Sequence, residues 1–489
     1  MELFKMYIDG EWCESSDGKT REQINPSNGE SVGFTAEGTV EDVNRAVDAA
    51  AAAFASWRLT STDERAALLR KAADIVDERA EIIAKAECAC SGQLYRNCQM
   101  DAGTVSAMFR FYAGIIDLPS GLSYNQSPMV TTMTLREPVG VVGIISPWNA
   151  PIDIFSKAVA PALAAGNTVV VKPSSITPLG TLEVIKCMED AGFPKGVVNL
   201  VLGEGSKLGD ALGSNVKVGK IAFTGGTETG RSLIHASASN IKKLSMELGG
   251  KSAVMLFDDA DVDAAIDNIM YIMYSMAGEL CVSCSRVLVQ DTIYDEVVKK
   301  LGKLVAKIRV GQSDDPEAEM GPVISKSQAE RIMYYIELGK KEGARLVTGG
   351  YRLTEGDFAK GNFIAPTVFA DVTNDMRIAQ EEIFGPVVVV EKFSTEEEAF
   401  AIANDSIYGL GAGCYTKDLG RSMRFAKEVK AACMWVNTYG PSASIACPIC
   451  CTKQSGYSTL MGVACLESYM DMKQVNFMGE PFAFGWFQG

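Results

Sequence analysis

The stretch KIAFTGGTETG at residues 220–230 begins as a short apolar run and continues, after two glycines, as a segment of helical composition. A buried strand that turns directly into a helix fits this pattern. The backbone N–H groups of such a turn and the positive end of the helix dipole predict a phosphate-binding site. The pattern is weak evidence by itself, because an ordinary strand-to-helix turn has the same residues.

The chain around this stretch continues the same alternation. Three more apolar runs of strand length precede it, at residues 139–145, 168–171 and 197–201. A helix-like segment at residues 178–191 ends at Gly192, a natural C′ residue. The alternation predicts an α/β fold with a doubly wound parallel sheet that binds ligands at its strand C-termini. A second alternating series, from residue 252 to about 436, predicts another α/β domain.

Composition excludes several classes of protein. His235 is the single histidine in 489 residues, so Ser-His-Asp triads, Cys-His dyads and histidine-rich metal sites do not fit, and we expect no metal site. The net charge of -15 disfavours a nucleic-acid partner, because phosphate binding needs clustered Lys and Arg. The sequence shows neither an apolar run of spanning length nor a signal peptide, so we expect no membrane partner and a cytoplasmic location.

Two cysteine pairs and one glycine-rich loop leave other classes open. The thirteen cysteines are scattered and odd in number, which does not indicate a disulfide framework. The CxxC pairs at residues 281–284 and 447–450 permit a four-cysteine zinc site, although they are far apart for a compact zinc ribbon. Residues 225–232 are one substitution from the Walker A loop of a P-loop NTPase, with Arg231 where that loop has lysine.

Without imidazole, base chemistry falls to a carboxylate or a lysine. Cys281 follows an apolar helix at residues 269–276, and Glu247 ends a short strand. A cysteine nucleophile served by a glutamate base is the arrangement that these segments suggest, and we expect a depressed thiol pKa at Cys281. The amide of Asn149 could point at a developing oxyanion, and Lys172 could bind a ribose or a phosphate.

Taken in order, these segments resemble the aldehyde dehydrogenase superfamily over essentially the whole chain. The matching segments are residues 147–149, 171–173, 223–227, 247–251, Cys281 before Ser285 and Arg286, 381–386, 408–410 and 435–437. The resemblance implies that Cys281 is the nucleophile, Glu247 the general base, and Asn149 with the Cys281 backbone N–H the oxyanion hole. It also implies that NAD or NADP is the cofactor.

The resemblance further implies a cofactor site. Lys172 would contact the adenosine ribose, Glu382 the nicotinamide ribose, and Phe384 the nicotinamide ring, while the Gly225 turn would bind the pyrophosphate. The full set of cofactor-binding residues that we expect is Ser146, Trp148, Lys172, Ser174, Ser175, Gly205, Thr224, Gly225, Gly226, Glu228, Leu248, Glu382 and Phe384.

The same resemblance implies an activity and a domain plan. The enzyme would oxidise an aldehyde to a carboxylic acid through a thiohemiacetal and a thioester on Cys281. Alternatives are a CoA-acylating enzyme, against which Glu247 argues, and a catalytically idle member of the fold. We expect a homodimer or homotetramer with three parts. These are a dinucleotide-binding domain (1–117 and 138–247), an oligomerisation ribbon built from two half-exposed strands (118–137 and 467–489), and a catalytic domain (248–466).

Several positions depart from the family's pattern. Ser175 stands where the family often has glutamate, which predicts NADP use beside NAD use, and Gly226 replaces a serine of the phosphate turn. Ala150 and Asp153 predict a roomier, more polar pocket for aromatic or polar-substituted aldehydes. Glycines of the family are replaced by Cys284 and, within residues 449–456, by two further cysteines, Cys450 and Cys451. We hypothesise that these three cysteines are redox partners of Cys281.

Overall fold

The computed structural model describes residues 2–125, 127–440 and 444–486. Its strands are β1 (Leu3–Phe4), β2 (Met6–Ile8), β3 (Glu11–Cys13), β4 (Thr20–Ile24), β5 (Ser31–Ala36), β6 (Ser123–Tyr124), β7 (Val130–Pro138), β8 (Val141–Ile145), β9 (Thr168–Lys172), β10 (Val198–Leu200), β11 (Val218–Thr224), β12 (Lys243–Glu247), β13 (Ala253–Leu256), β14 (Arg286–Gln290), β15 (Arg345–Thr348), β16 (Arg352–Leu353), β17 (Phe363–Ile364), β18 (Thr367–Val372), β19 (Val387–Phe393), β20 (Gly411–Tyr415), β21 (Cys433–Val436), β22 (Ile449–Cys450), β23 (Gly456–Tyr457), β24 (Thr459–Leu460) and β25 (Met470–Met478).

The helices are α1 (Val40–Trp57), α2 (Thr62–Glu78), α3 (Ala80–Ser91), α4 (Tyr95–Ile115), α5 (Pro151–Ala164), α6 (Leu179–Ala191), α7 (Gly205–Ser214), α8 (Thr227–Ser237), α9 (Val262–Tyr274), α10 (Tyr294–Val305), α11 (Lys326–Glu342), α12 (Arg377–Gln380), α13 (Glu396–Asn404), α14 (Leu419–Glu428) and α15 (Gly462–Ser468), with a short 3-10 helix at Gly356–Phe358.

The first large sheet has the order β23-β12-β11-β8-β9-β10-β2-β3. Its five central strands, β12 to β10 in that order, are parallel, which confirms the predicted doubly wound α/β fold. The edges are antiparallel, and the sequence did not predict them. The pairings of β2 with β10 and of β23 with β12 are long-range and leave no local signal, whereas β2 and β3 form a hairpin across Asp9 and Gly10.

The second large sheet has the order β15-β18-β19-β14-β13-β20-β21, parallel except for β15 at one edge. Its strands begin after residue 252, as the second alternating series predicts. One helix boundary differs from the prediction. The apolar segment that we expected to be helical to residue 276 ends its helix, α9, at Tyr274, and the residues up to 285 form the loop that carries Cys281.

β7 and β25 form a ribbon within a separate three-stranded sheet of the order β25-β7-β6. They pair antiparallel from Met470 opposite Pro138 to Met478 opposite Val130, and β6 pairs with the other side of β7. The ribbon exposes apolar side chains, including Met472 and Phe477. Of the ribbon segment expected at 467–489, residues 487–489 lie outside the described residues.

The segment from β23 to α15 belongs to the first core, whereas the expected domain plan assigns it to the catalytic domain. Cys465 and Leu466 are fully buried in the same core as the central parallel strands. The reason is an open sheet edge, since β12 has no other neighbour on its outer side and β23 supplies its hydrogen bonds. Residues 441–443 of the expected catalytic domain lie outside the described part of the chain.

Candidate active site

A tight loop between α9 and β14 presents Cys281. Gly278 has a φ of 70°, and a Cβ at this position would overlap the carbonyl oxygen of Gly385. Only glycine fits such a position, because both the backbone conformation and the close approach exclude a side chain. The loop thereby holds the Cys281 backbone against the Gly249-Gly250 turn, where a Cβ on Gly250 would lie 2.6 Å from the Cys281 carbonyl oxygen.

Glu247 is the last residue of β12, and its side chain is near enough to Cys281 for its charge to raise the pKa of the thiol. The residue is 8% exposed, and both carboxylate oxygens accept hydrogen bonds. Cys451 Sγ donates to Oε2 at 2.8 Å, and Ser458 Oγ donates to Oε1. Burial raises the pKa of Glu247 above its ordinary value, and the two hydrogen bonds oppose that rise by stabilising the ionised form.

The electrostatics at Cys281 differ from our expectation of a depressed thiol pKa. Burial raises its pKa to about 12, and the negative charges of Glu247 and Glu382 add to the rise. The positive charge of Lys157 acts in the opposite direction. The thiol is therefore the resting form, because a thiolate here would be desolvated between two carboxylates.

Asn149 lies close to the nucleophile loop, two residues before α5. Its Nδ2 donates to the carbonyl oxygen of Glu279 at 2.9 Å, and its own carbonyl accepts a hydrogen bond from Gln93. These contacts join the end of β8 to the loop that carries Cys281. The Asn149 amide is therefore hydrogen-bonded to the residue two positions before Cys281.

A charged group on α5 faces both Cys281 and Glu247. Lys157 Nζ donates to Asp153 Oδ2 at 2.6 Å, and both side chains are partly buried. The charge of Lys157 lowers the pKa of both Cys281 and Glu247. Asp101 on α4 lies beside the pair, and burial with the negative charge of Asp153 raises its pKa to about 8. A cation, Lys157, therefore acts on both Cys281 and Glu247, and two carboxyl groups lie beside it.

Glu382 and Phe384 lie on the opposite side of the nucleophile loop. Glu382 Oε1 accepts from the Gly250 backbone N–H at 2.8 Å, and a Cβ on Gly249 would overlap the Glu382 carboxylate. The ring of Phe384 meets that of Trp148 edge to face, with centroids 5.2 Å apart. The structure thus brings three of the expected cofactor-binding residues to the loop that carries Cys281.

The C-terminal ends of β9 and β10 hold the expected adenosine residues. Lys172 is 2% exposed, and burial lowers its pKa to about 8. Its Nζ lies 3.6 Å from where a Cβ on Gly205, the first residue of α7, would be. Ser174 and Ser175 follow β9 and are partly exposed. The Ser175 carbonyl oxygen accepts from Gln23 Nε2 at 3.1 Å, which ties this turn to β4.

The turn after β11 connects with the end of β12. Thr224 pairs with Glu247, and the Gly225 N–H donates to the Glu247 carbonyl oxygen at 3.0 Å. Gly226 is the N-cap of α8, and a Cβ there would contact nothing within 4 Å. The first turn of α8 therefore opens onto free space, as a site for a pyrophosphate requires.

The remaining expected cofactor residues surround this turn. Ser146 is buried, and its Oγ has no hydrogen-bond partner among the described residues. Glu228, on the first turn of α8, forms an ion pair with Arg231 and is exposed. Leu248 packs on Gly230 of α8. An unpartnered hydroxyl, an open helix N-terminus and a buried lysine at the C-terminal edge of one parallel sheet fit a dinucleotide.

A sequence model of the aldehyde dehydrogenase family matches residues 12–475. The chain belongs to the aldehyde dehydrogenase family. This membership confirms the predicted resemblance and the reaction class of an aldehyde-oxidising oxidoreductase. It also removes the P-loop NTPase alternative, since the glycine-rich loop at residues 225–232 is the strand-to-helix turn of this family's fold.

The relatives include two differently named enzymes of this family. The chain is 40% identical over 485 residues to betaine aldehyde dehydrogenase of Bacillus subtilis (strain 168), with 99% of each chain covered. It is 43% identical over 476 residues to aldehyde dehydrogenase family 2 member C4 of Arabidopsis thaliana, covering 96% of this chain and 94% of that one. Betaine aldehyde dehydrogenase from Staphylococcus aureus in complex with NAD+ has a TM-score of 0.97 at 40% identity, covering 99% of this chain and 97% of that chain.

The cysteines that we hypothesised to be redox partners of this dehydrogenase's nucleophile differ in their surroundings. Cys284 is fully buried in the core of the second sheet, where its Sγ lies 3.9 Å from the Ile269 carbonyl oxygen. This packing argues against a redox role for Cys284, and it leaves the proposed four-cysteine zinc site without one of its ligands. Cys450 lies in β22, with its Sγ 4.0 Å from Thr459 Oγ1. Cys451 alone of the three bonds to Glu247.

Sequence reasoning missed Ser458, Lys157 and Asp101 of this dehydrogenase. Ser458 has no motif, and its contact with Glu247 spans more than 200 residues. Lys157 has only a weak sequence signal. It lies four residues after Asp153, which the sequence analysis singled out, and residues at this spacing are neighbours on a helix. Among the described residues, no helix is long and apolar enough to cross a membrane, and no group of three or more His, Cys, Asp or Glu could hold a metal ion.

Proposed function

We propose that this chain oxidises an aldehyde to a carboxylic acid with NAD or NADP, using Cys281 as nucleophile and Glu247 as general base. The proposal is supported by the closeness of the loop that carries Cys281 to the end of the strand that carries Glu247. Cys281 comes from the loop before β14, and its backbone lies against the Gly249-Gly250 turn that follows Glu247 at the end of β12. The charge of Glu247 also raises the pKa of the Cys281 thiol. Nucleophile and base therefore lie at the junction of the two sheets.

The first half-reaction makes a bond between Cys281 Sγ and the aldehyde carbon. Because the thiol pKa is about 12, its proton must leave to water as the sulfur attacks, and Glu247 stays ionised for the hydrolysis step. Asn149, held beside the loop by Glu279, would donate to the oxygen that becomes negative in the thiohemiacetal. Lys157 would favour the anionic sulfur through its charge.

The second half-reaction releases the acid. A bound nicotinamide would supply hydride acceptance, and Cys281 would then hold the acyl group as a thioester. Glu247 then takes a proton from water, whose oxygen attacks the thioester carbon, and Cys281 leaves as the thiol or thiolate. A catalytically idle member of the fold would not need this constellation.

The cofactor would lie along the C-terminal edge of the first sheet. Lys172, Ser174, Ser175 and Gly205 would hold the adenosine end, and the Gly225-Gly226 turn with Glu228 the pyrophosphate. The remaining expected cofactor contacts are Ser146, Trp148, Thr224, Leu248, Glu382 and Phe384. Ser175 offers a hydroxyl where a carboxylate would repel a 2′-phosphate, so we infer that the protein uses NADP as well as NAD.

We propose aromatic or polar-substituted aldehydes as substrates. Ala150 leaves room after Asn149, because its side chain is a single methyl group. The Asp153–Lys157 ion pair and Asp101 put polar groups in the pocket wall. The betaine aldehyde dehydrogenases among the relatives show that polar-substituted aldehydes are handled within the family.

We also propose a homodimer or homotetramer joined through the β7–β25 ribbon, whose exposed apolar side chains favour a partner strand or subunit. The corresponding parts are a dinucleotide-binding domain of residues 1–117 and 138–247, extended by the segment from β23 to α15, and a catalytic domain built on the second sheet. All thirteen cysteines lie in the described part of the chain as free thiols, which supports a cytoplasmic location.

One assay tests the function. Purified protein is given benzaldehyde, betaine aldehyde or acetaldehyde with NAD or NADP, with and without CoA, and NAD(P)H formation is followed. We expect CoA-independent turnover, with kcat/KM lowest for acetaldehyde. Turnover that requires CoA would show the acylating reaction instead, and no turnover with any aldehyde would contradict the proposal. A kcat/KM highest for acetaldehyde would refute the substrate class alone.

A further inference from the structure

The carboxylate of Glu247 is held at both oxygens by side chains from one short segment. Cys451 Sγ donates to Oε2 at 2.8 Å, and Ser458 Oγ donates to Oε1. The two residues flank β23, whose Gly456 is registered opposite Glu247 on β12. The pairing of β23 with β12 therefore brings this segment alongside Glu247.

We propose that Cys451 and Ser458 are positioning residues for the general base, which keep the Glu247 carboxylate ionised and aimed in one direction. The proposal rests on the proposed role of Glu247 in hydrolysing the thioester. It assigns a function to a cysteine that stands where the family's pattern has glycine, which has no side-chain donor.

The physical reason is the burial of the carboxylate. A buried carboxylate loses hydration, which favours its protonated form, and a protonated Glu247 cannot take a proton from water. Hydrogen bonds to the ionised form restore part of the lost solvation, and bonds to charged groups are stronger than those between neutral groups. The two donors thus lower the pKa of Glu247 against the effect of burial.

The thiol of Cys451 suits this role because it stays protonated. Burial and the adjacent Glu247 raise its pKa far above the ordinary value, and the hydrogen bond to Glu247 adds to the rise. A thiol in this state donates a hydrogen bond and does not compete with Cys281 as a nucleophile. Serine at this position would keep a donor, whereas alanine would remove it.

Other titratable groups face Glu247 from four elements. Lys157 comes from α5, Cys281 from the loop after α9, Cys433 from β21 and Cys465 from α15. Lys157 also favours the ionised carboxylate, so the loss of one donor leaves part of the stabilisation in place. The pKa of the three thiols is raised, so they stay neutral near neutral pH and do not titrate with Glu247 there.

The test measures hydrolysis of the acyl-enzyme directly. The enzyme with saturating cofactor is mixed with the best aldehyde of the substrate assay, quenched at intervals, and the acyl group on Cys281 is followed by intact-protein mass spectrometry from pH 5 to 9. Cys451→Ala and Ser458→Ala should each slow the decay of the acyl-enzyme about tenfold near neutral pH. The acid limb of the rate should move to higher pH, while the rate of acylation stays near that of the parent enzyme.

Two further variants separate positioning from damage to the fold. Cys451→Ser should restore the parent's pH profile, because its hydroxyl can donate to Glu247. Cys450→Ser, a matched neighbour whose thiol does not contact Glu247, should behave as the parent. If Cys451→Ala does not fold, as checked by circular dichroism, Cys451→Ser and Ser458→Ala still decide the question.

Glu247→Gln, measured in parallel, distinguishes a failure of the general-base role of Glu247 from a failure of the positioning role of Cys451 and Ser458. If this variant hydrolyses the acyl-enzyme as fast as the parent does, the general-base role itself is wrong. If it is slow but Cys451→Ala and Ser458→Ala follow the parent at every pH, only the positioning role is overturned. A slowed Cys451→Ala variant whose acid limb does not move would also overturn it, because lost packing does not depend on ionisation.

Discussion

The Gly225 N–H donates to the backbone carbonyl of Glu247 at 3.0 Å, so the expected pyrophosphate turn and the expected general base are neighbours on adjacent strands. β11 and β12 run parallel and in register from Lys220 opposite Lys243 to Thr224 opposite Glu247. Their two C-terminal ends are therefore fixed relative to each other by a hydrogen-bonded ladder. A cofactor held at the turn would lie at a constant distance from the base.

The first prediction concerns the division of labour between Cys281 and Glu247. Cys281→Ala should abolish NAD(P)H formation, because no other thiol carries the aldehyde. Glu247→Gln should leave a single-turnover burst of NAD(P)H and slow steady-state turnover, since the base is needed mainly after the thioester forms. Stopped-flow absorbance at 340 nm separates the two phases. Loss of the burst in Glu247→Gln would mean that Glu247 also takes the thiol proton.

Asn149 should matter for the rate of acylation. Asn149→Ala removes the amide that would stabilise the oxyanion, and the burst rate should fall by ~10² or more. Asn149→Asp, which keeps the size of the side chain, should be at least as slow, because a carboxylate repels the oxyanion. A burst rate within about twofold of the parent in Asn149→Ala would exclude the oxyanion role.

Ser175 should control the choice between NAD and NADP. Ser175→Glu would bring a carboxylate to the adenosine end near Lys172, where one pair of unit charges is worth up to ~4 kcal/mol at an effective dielectric of about 20. The ratio of kcat/KM for NAD to that for NADP should rise. Ser175→Gln, which has the same length without the charge, is the control. An unchanged ratio would show that this position does not face the ribose.

Lys157 should lower the pKa of the nucleophile. Lys157→Met removes the positive charge beside Cys281, so the thiolate becomes less stable and the thiol pKa rises further. The rate of alkylation of Cys281 by iodoacetamide, measured against pH, should therefore move to higher pH. Lys186→Met, a partly exposed lysine on α6, should leave the profile unchanged. A shift to lower pH would contradict the assigned proximity.

Gly278 should be required for the shape of the nucleophile loop. Gly278→Ala forces a side chain into the carbonyl oxygen of Gly385 at a φ of 70°, and such strain costs about 1 to 3 kcal/mol or more. We expect a lower Tm and loss of the burst. Gly114→Ala, in the exposed part of α4 with nothing within 4 Å, should be neutral or stabilise by up to ~1 kcal/mol. Equal Tm values for the two variants would contradict the loop geometry.

The sequence by itself determined the fold class and the principal residues of the candidate site. Strand-length apolar runs, with glycines at their ends, mark the parallel strands because burial on both faces leaves a local composition that can be read directly. Cys281, Glu247, Asn149 and the cofactor residues were found because their motifs are contiguous. Each motif occupies only a few consecutive residues, although the motifs themselves are far apart along the chain.

The tertiary structure alone decided the environment of those residues. The pairing of β23 with β12, the hydrogen bonds from Cys451 and Ser458 to Glu247, and the action of the Lys157 charge on Cys281 come from segments that local sequence does not connect. The raised pKa of Cys281 was also missed, because burial and the charges of Glu247 and Glu382 depend on the folded arrangement. Covalent neighbours set local conformation, whereas desolvation and charge act through space between residues hundreds of positions apart.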